Sequence, residues 1–232
     1  IINNTDYISQ ELLKELKDIK SSGILIVNLF IFYERYFERI PPKLISDKDI
    51  ISRDFFIPRN SNSVRLKRIG DIFLASFLVF ITSPLIILAA ILIKIEDNGP
   101  IFYSQERNGL LDIPYKVWKL RTMKVNSESK GPQWASKKDP RITSVGKYLR
   151  KSRLDELPQL LSVIKGEMSL IGPRPERPTF DRKLGKKIPH YNVRKWIKPG
   201  LSGWAQVNYP YTASVEDSEK KLSYDLFYLR NF

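Results

Sequence analysis

The chain has 232 residues, 42% of them hydrophobic, enough for one good-sized core or two small domains. Its 39 Lys and Arg against 25 Asp and Glu give a formal net charge of +14, which points to anionic partners: nucleic acid, phosphorylated small molecules or an acidic membrane surface. The absence of cysteine rules out disulfides and thiolate metal sites, and the single histidine, His190, argues against a zinc cluster or a Ser-His-Asp triad, so chemistry must rest on carboxylates, Lys and Arg, and a hard, oxygen-seeking cation.

In chain order, GILIVNLFIFYERYFERIPPKL reads as a short buried strand, Ile24 to Val27, followed by an amphipathic helix that Pro41 and Pro42 terminate. Residues 43–66 are polar, contain IPRNSNS, and read as a linker. Next comes IFLASFLVFITSPLIILAAILI, Ile72 to Ile93, 22 residues without a charge and long enough to span a bilayer. Arg65, Lys67 and Arg68 precede it and Lys94 follows, so the flanks lack the one-sided basic bias of a simple crossing. Pro84 removes a backbone donor in mid-run and should bend the helix near Ser83, with Ser83 or Thr82 satisfying the freed carbonyl. A kinked span and a hairpin that enters and returns on one side both fit these residues.

After the turn at Asn98 to Pro100, two alternating stretches read as a β-hairpin whose loop holds Asn108-Gly109. ESKGPQWASKKDPRIT, residues 128–143, reads as a surface loop. Val145, Tyr148 and Leu149 give a helix from Ser144, and another starts at Ser152 with Leu154, Leu157, Leu160, Leu161 and Ile164 as its apolar stripe and Gly166 as its stop. Ser152 and Asp155 resemble a capping box, which puts Asp155 and Glu156 in a first helical turn with Pro158 close behind.

Acids in a first turn are ordinarily structural, because the helix dipole stabilises them. Here Arg150, Lys151 and Arg153 lie just upstream and favour ionised carboxylates. An ionised aspartate can attack phosphorus, and a neighbouring glutamate can hold Mg2+ against a diphosphate. In GPRP, Pro173 and Pro175 stiffen the loop that presents Arg174, whose guanidinium suits two-pronged phosphate binding. KPGLSGWAQV, Lys198 to Val207, is a tight loop whose Trp204 and Gln206 would lie beside a base or sugar, or in the case of Trp204 in the core.

The ordered set KRIGD (67–71), the apolar run with Ser83-Pro84, GPIFYSQERNG (99–109), WKLRTM (118–123), LDELPQL (154–160), GEMSLIGPRPE (166–176), KPGLSGWAQVN (198–208) and YDLFYLRN (224–231) resembles the bacterial sugar transferases, the monotopic polyprenyl-phosphate phosphoglycosyl transferases. FYERYFERIP further resembles the end of the Rossmann-like region of the larger members. The resemblance implies an α+β, mostly α-helical, monotopic membrane protein with a re-entrant helix-break-helix and a small β-hairpin in a cytoplasmic catalytic domain. Residues 1–62 would be the tail of a preceding Rossmann-like region and a linker, 63–98 the re-entrant segment and 99–232 the catalytic domain, with the chain reading as an excerpt of a longer protein.

It also implies the reaction: a sugar 1-phosphate passes from a UDP-sugar to undecaprenyl phosphate, releasing UMP, as the first membrane step of polysaccharide synthesis at the bacterial inner membrane. Asp155 would carry the phosphosugar and Glu156 would ligate Mg2+. Arg150 and Arg174 would hold phosphate oxygens, helped by Lys119 or Arg121, with Pro173, Pro175 and Gln206 lining the substrate. Ser83 and Pro84 would turn the hairpin and Lys67 and Arg68 anchor it. The partners are then a nucleotide sugar, a lipid and the membrane rather than nucleic acid, and a homo-oligomer is compatible with them. After QVN the chain has YPYTASVED where smaller members often have GR, as in the larger exopolysaccharide-initiating members. The competing reading from the residues is a non-enzymatic basic module anchored in a membrane, which accounts for the charge and the apolar run but gives LDELPQL and GPRP no task.

Overall fold

The computed structural model describes residues 9–51, 55, 60–125, 127, 139–210 and 214–232. They form α1 (Gln10–Ser21), α2 (Leu29–Phe37), α3 (Asp47–Ile51), α4 (Asn62–Asp97), β1 (Phe102–Asn108), β2 (Pro114–Leu120), α5 (Ser144–Ser152), α6 (Leu160–Lys165), β3 (Ser169–Ile171), α7 (Pro178–Lys187), β4 (Gly200–Ser202), α8 (Trp204–Asn208) and α9 (Val215–Arg230). The fold is mostly helical α+β, with β1 and β2 antiparallel and β3 and β4 parallel.

The chain divides into two compact units built from non-consecutive stretches, whereas the sequence reading divides it consecutively. One comprises 1–57, 184–194 and 204–232, and the other 58–183 and 195–203. In the first, Ile40 N donates to Ser223 O of α9 at 2.8 Å, Arg230 pairs with Glu34 of α2 at 2.8 Å, and Arg194 pairs with buried Asp225 at 2.8 Å. Asn28 caps α2 through Phe30 N, and Glu38 in the left-handed region ends it before the prolines. The strand expected at Ile24–Val27 is absent: no described strand lies beside it to take its hydrogen bonds, and Ile24 and Leu25 are exposed. The linker expected over 43–66 holds α3 and the start of α4, with 52–54 and 56–59 outside the described residues. Most of the loop expected over 128–143 is also outside them.

In the second unit α4 runs for 36 residues, about 54 Å if straight. The break expected at Ser83-Pro84 does not interrupt it. Pro84 sits inside the helix, and Ser83 Oγ donates to Phe80 O at 2.8 Å, replacing the N–H that proline lacks. Ala75 packs with Tyr115, Val117, Leu160, Val163 and Met168, and Ala89 and Ile93 pack with Leu120 and Leu149. Polar contacts fix both ends. Arg68 donates to Val163 O and Ile164 O, closing the C-terminus of α6, while Glu96 accepts from Ser144 N at 2.7 Å at the start of α5 and Asp97 pairs with Arg121. Lys67 contacts Asp71 and Ser169 Oγ, so Lys67 and Arg68, expected as membrane anchors, bond within their own unit. Between these ends Ile69, Ile72, Phe73, Phe77, Phe80 and Ile87 are exposed, and only 11% of the most apolar window of α4 is buried. Apolar surface of that extent belongs in a membrane rather than in water, and α4 associates the chain with one.

Candidate active site

The LDELPQL segment departs from its sequence reading in form. Ser152 is the last residue of α5 and its hydroxyl donates back to Tyr148 O, so it caps nothing ahead of it. Arg153 turns the chain with φ 61°, and Leu154–Gln159 winds as a 3-10 helix. Pro158 supplies no N–H for an α-helical bond to Leu154, which disfavours the α-helix expected from Ser152. The α-helix begins only at Leu160, and Gly166 with φ 91° ends it as expected, while Leu161 of the expected stripe is exposed.

This tight turn buries Asp155 and Glu156 to 7% exposure each and gives them unlike surroundings. Glu156 Oε1 accepts from Lys119 Nζ of β2 at 2.7 Å and from Arg174 Nη2 at 2.6 Å, and Oε2 accepts from Arg174 Nη1 at 3.4 Å. Burial would raise its pKa, but the charges and hydrogen bonds of Arg174 and Lys119 override this and hold it well below the usual carboxylate range. Asp155 Oδ1 is buried without a hydrogen-bond partner. Burial pushes its pKa up, Lys119 pulls it down and Glu156 adds to the rise. Burial and Arg174 in turn lower the pKa of Lys119 against the pull of Glu156. One acid is therefore fixed and charged, and its neighbour is positioned but unengaged.

The loop carrying Arg174 is held by backbone. Gly172 N donates to Ser202 O at 2.9 Å, Gly200 N to Pro173 O at 2.9 Å and Ser169 N to Pro199 O at 2.8 Å, so the GPRP and KPGLSG motifs are zipped together. The approach needs glycine, since a Cβ on Gly200 would stand 2.1 Å from Gly172 N. Pro175 O accepts from Arg107 Nη1 of β1 at 3.2 Å, and Arg107 also lies 3.8 Å from Glu176. Nothing local in GPIFYSQERNG marks Arg107 for this site; its pairing with Tyr115 across the hairpin is what brings it here. Tyr115 OH is buried without a partner, and burial raises its pKa.

Of the expected site residues, Lys119, Arg174, Asp155 and Glu156 form one cluster. Arg150 donates to Thr122 Oγ1 at 2.8 Å and contributes its charge to Asp155 without a direct bond. Arg153 is mostly exposed, 4.0 Å from Glu156, and Lys151 is exposed, so the cations hydrogen-bonded to Glu156 come from β2 and the loop after β3 rather than from chain neighbours. Arg121 is not in the cluster: both its terminal nitrogens bond Asp97, with Nη1 at 2.8 Å. Gln206 lies on α8 in the first unit. Trp204 in that unit donates to Glu38 O at 3.0 Å and stacks near Phe227, a packing role. Among the described residues no group of three or more His, Asp or Glu side chains converges as a metal cage. The ionised Glu156 fits a hard cation that takes its remaining ligands from water and phosphate, provided it shares the carboxylate with Lys119 and Arg174.

Residues 62–232 match the model of a family described as Bacterial sugar transferase. A UDP-N-acetylgalactosamine-undecaprenyl-phosphate N-acetylgalactosaminephosphotransferase of Aeromonas hydrophila is 45% identical over 167 residues, covering 72% of this chain and 40% of that protein. A UDP-glucose:undecaprenyl-phosphate glucose-1-phosphate transferase of Escherichia coli (strain K12) is 35% identical over 228 residues, 96% of this chain and 48% of that protein. One of the same description from Caulobacter vibrioides is 39% identical over 178 residues, 76% and 66% respectively. The chain thus spans about half the length or less of the first two.

Proposed function

The chain belongs to the bacterial sugar transferase family, and on that premise we propose that it carries the catalytic part of an enzyme that moves a sugar 1-phosphate from a UDP-sugar to undecaprenyl phosphate. An ionised Asp155 oxygen attacks the β-phosphorus of the UDP-sugar, the bond from that phosphorus to the bridging oxygen breaks, and UMP leaves. An oxygen of undecaprenyl phosphate then attacks the same phosphorus, the bond to Asp155 breaks, and the lipid diphosphosugar leaves with the carboxylate restored. The observation that carries this reading is the asymmetry of the dyad: Glu156 is tied to two cations, while the buried Oδ1 of Asp155 has no partner.

Lys119 and Arg174 orient Glu156 and offer positive charge to diphosphate oxygens, with Arg150 behind Asp155. Glu156 would hold Mg2+, which when bound neutralises diphosphate charge. The bonding of both ends of α4 to one compact unit supports a monotopic arrangement in which the helix enters and leaves on one face, bent at Pro84, with the catalytic unit on the cytoplasmic side of the inner membrane. One substrate is water-soluble and the other a lipid, so their phosphorus chemistry has to occur at that interface. The lipid diphosphosugar so formed would be the start of a polysaccharide. UMP release from a panel of UDP-sugars tests it: the natural protein should release UMP from one or a few of them and Asp155→Asn should not, whereas an unimpaired Asp155→Asn protein would overturn the nucleophile.

A further inference from the structure

Thr122 lies just past the end of β2 and is buried, at 6% exposure, against the start of α5. Backbone pins it on both sides. Arg121 N donates to Ile101 O at 2.8 Å, Thr143 N to Thr122 O at 3.1 Å and Lys124 N to Arg141 O at 2.9 Å, and Met123 pairs with Ile142. The first turn of α5 presses directly on Thr122: a Cβ on Gly146 would stand 2.2 Å from its carbonyl oxygen, an approach that needs glycine. Arg150 follows Gly146 by one helical turn on the same face, which brings its side chain to the Thr122 hydroxyl.

Arg150 Nε donates to Thr122 Oγ1 at 2.8 Å. Among the described residues its Nη1 and Nη2 make no hydrogen bond and no ion pair within 4.0 Å. Two buried acids feel its charge, Asp139 and Asp155, but neither holds it. Asp139 is taken by Arg141, whose Nε and Nη2 donate to it at 2.8 and 2.6 Å. Asp155 keeps an oxygen without a hydrogen-bond partner. The group that anchors Arg150 is thus a neutral hydroxyl. A carboxylate in that place would neutralise the guanidinium, and an unheld guanidinium would be drawn into an ion pair with Asp155, engaging the oxygen that has to attack.

We propose that Thr122 is a positioning residue for the sugar-phosphate transfer: its hydroxyl holds Arg150 by Nε, so that Nη1 and Nη2 stay off Asp155 and available to the phosphate that Asp155 attacks. A guanidinium fixed at Nε has less rotational freedom to lose on binding, and its two outer nitrogens offer paired donors to two phosphate oxygens. Within WKLRTM it is then the hydroxyl of Thr122, rather than the buried guanidinium of Arg121, that serves the phosphate site alongside Lys119. The inference rests on the proposed reaction and adds to it the residue that sets Arg150.

UMP release tests it in Thr122→Val, which keeps the shape of the side chain and removes the acceptor, and in Thr122→Ser, which keeps the hydroxyl. Thr122→Val should slow release roughly ten-fold with a melting midpoint in detergent within about 4 °C of the natural protein. Thr122→Ser should retain at least about half of the natural rate, since its acceptor is unchanged. In an Arg150→Met background Thr122→Val should cost less than about two-fold, because the group it holds is gone. Losses that multiply in the double variant, equal losses in Thr122→Ser and Thr122→Val, or an unimpaired Thr122→Val would each overturn the role, and a larger fall in the midpoint would assign Thr122 to stability instead. Undiminished release by Asp155→Asn with the Thr122 pattern intact would count against the nucleophile alone. No release from any UDP-sugar by the natural protein would overturn the reaction and this role together.

Discussion

Ser83 Oγ donates at 2.8 Å to the carbonyl of Phe80, the acceptor that Pro84 leaves without its helical N–H. The hydroxyl lets α4 continue through a proline in its apolar centre, where an unpaired carbonyl would have no water to turn to. Ser83→Ala should cost about 1 kcal/mol, seen as a melting midpoint in detergent lower by roughly 2–4 °C. In a Pro84→Ala background residue 84 donates again, so Ser83→Ala should cost less than half as much there. Equal costs in both backgrounds would remove the link between the two residues.

Glu156 is stabilised by Lys119 and Arg174 together. Lys119→Met leaves Arg174 as the cation hydrogen-bonded to it and should destabilise the protein by about 1.5–3 kcal/mol, the scale of a hydrogen bond to a charged group. Lys119→Met combined with Glu156→Gln should recover part of that loss in denaturant titrations, because the stranded charge is gone.

Arg174 bonds both oxygens of Glu156, which a lysine's single ammonium cannot reproduce. Arg174→Lys should fold with a melting temperature near that of the natural protein yet release UMP roughly ten-fold or more slowly. Full activity in that variant would assign Arg174 a purely structural role.

Asp97 and Arg121 join the end of α4 to the residue following β2, with Arg121 buried. Asp97→Asn and Arg121→Gln should lower stability by similar amounts, and the double variant by less than their sum. KM for the UDP-sugar should stay within about two-fold in both, as expected for a pair that adds no binding interaction. A selective rise in KM for Arg121→Gln would return Arg121 to the substrate site.

Asp155 is buried with an unpartnered oxygen, and burial works against its charged form. Asp155→Asn should therefore melt roughly 2–4 °C higher than the natural protein at neutral pH, the shift given by about 1 kcal/mol in a chain of this size, while losing activity. A lower midpoint would mean that Asp155 contributes to stability.

Much of the fold can be read from local patterns. The Asn108-Gly109 pair marks the hairpin, Gly166 ends α6, and the spacing of Val145 and Leu149 gives α5. Ser83 as the substitute donor follows from the proline alone, but its consequence does not: a break was expected and the helix continues. Arg150, Lys151 and Arg153 looked like the cations for LDELPQL because they adjoin it in the chain. The closest partners are Lys119 and Arg174, brought in by the β2 register and by the zip between Gly172 and Gly200, which are long-range relationships that no local window contains. Arg121 shows the converse, since two residues on from Lys119 and just past the end of β2 it bonds Asp97 instead of the acids.

In the proposed reaction Asp155 becomes bonded to phosphorus. The direct measurement is to incubate the full-length protein with a UDP-sugar labelled in its β-phosphate, without undecaprenyl phosphate, and to map the label by peptide mass spectrometry. A phosphosugar carried on Asp155 predicts UMP release with label on Asp155, lost in Asp155→Asn and discharged when undecaprenyl phosphate is added. UMP appearing only in the presence of the lipid, with no labelled peptide at any stage, or label residing on Glu156, would contradict it.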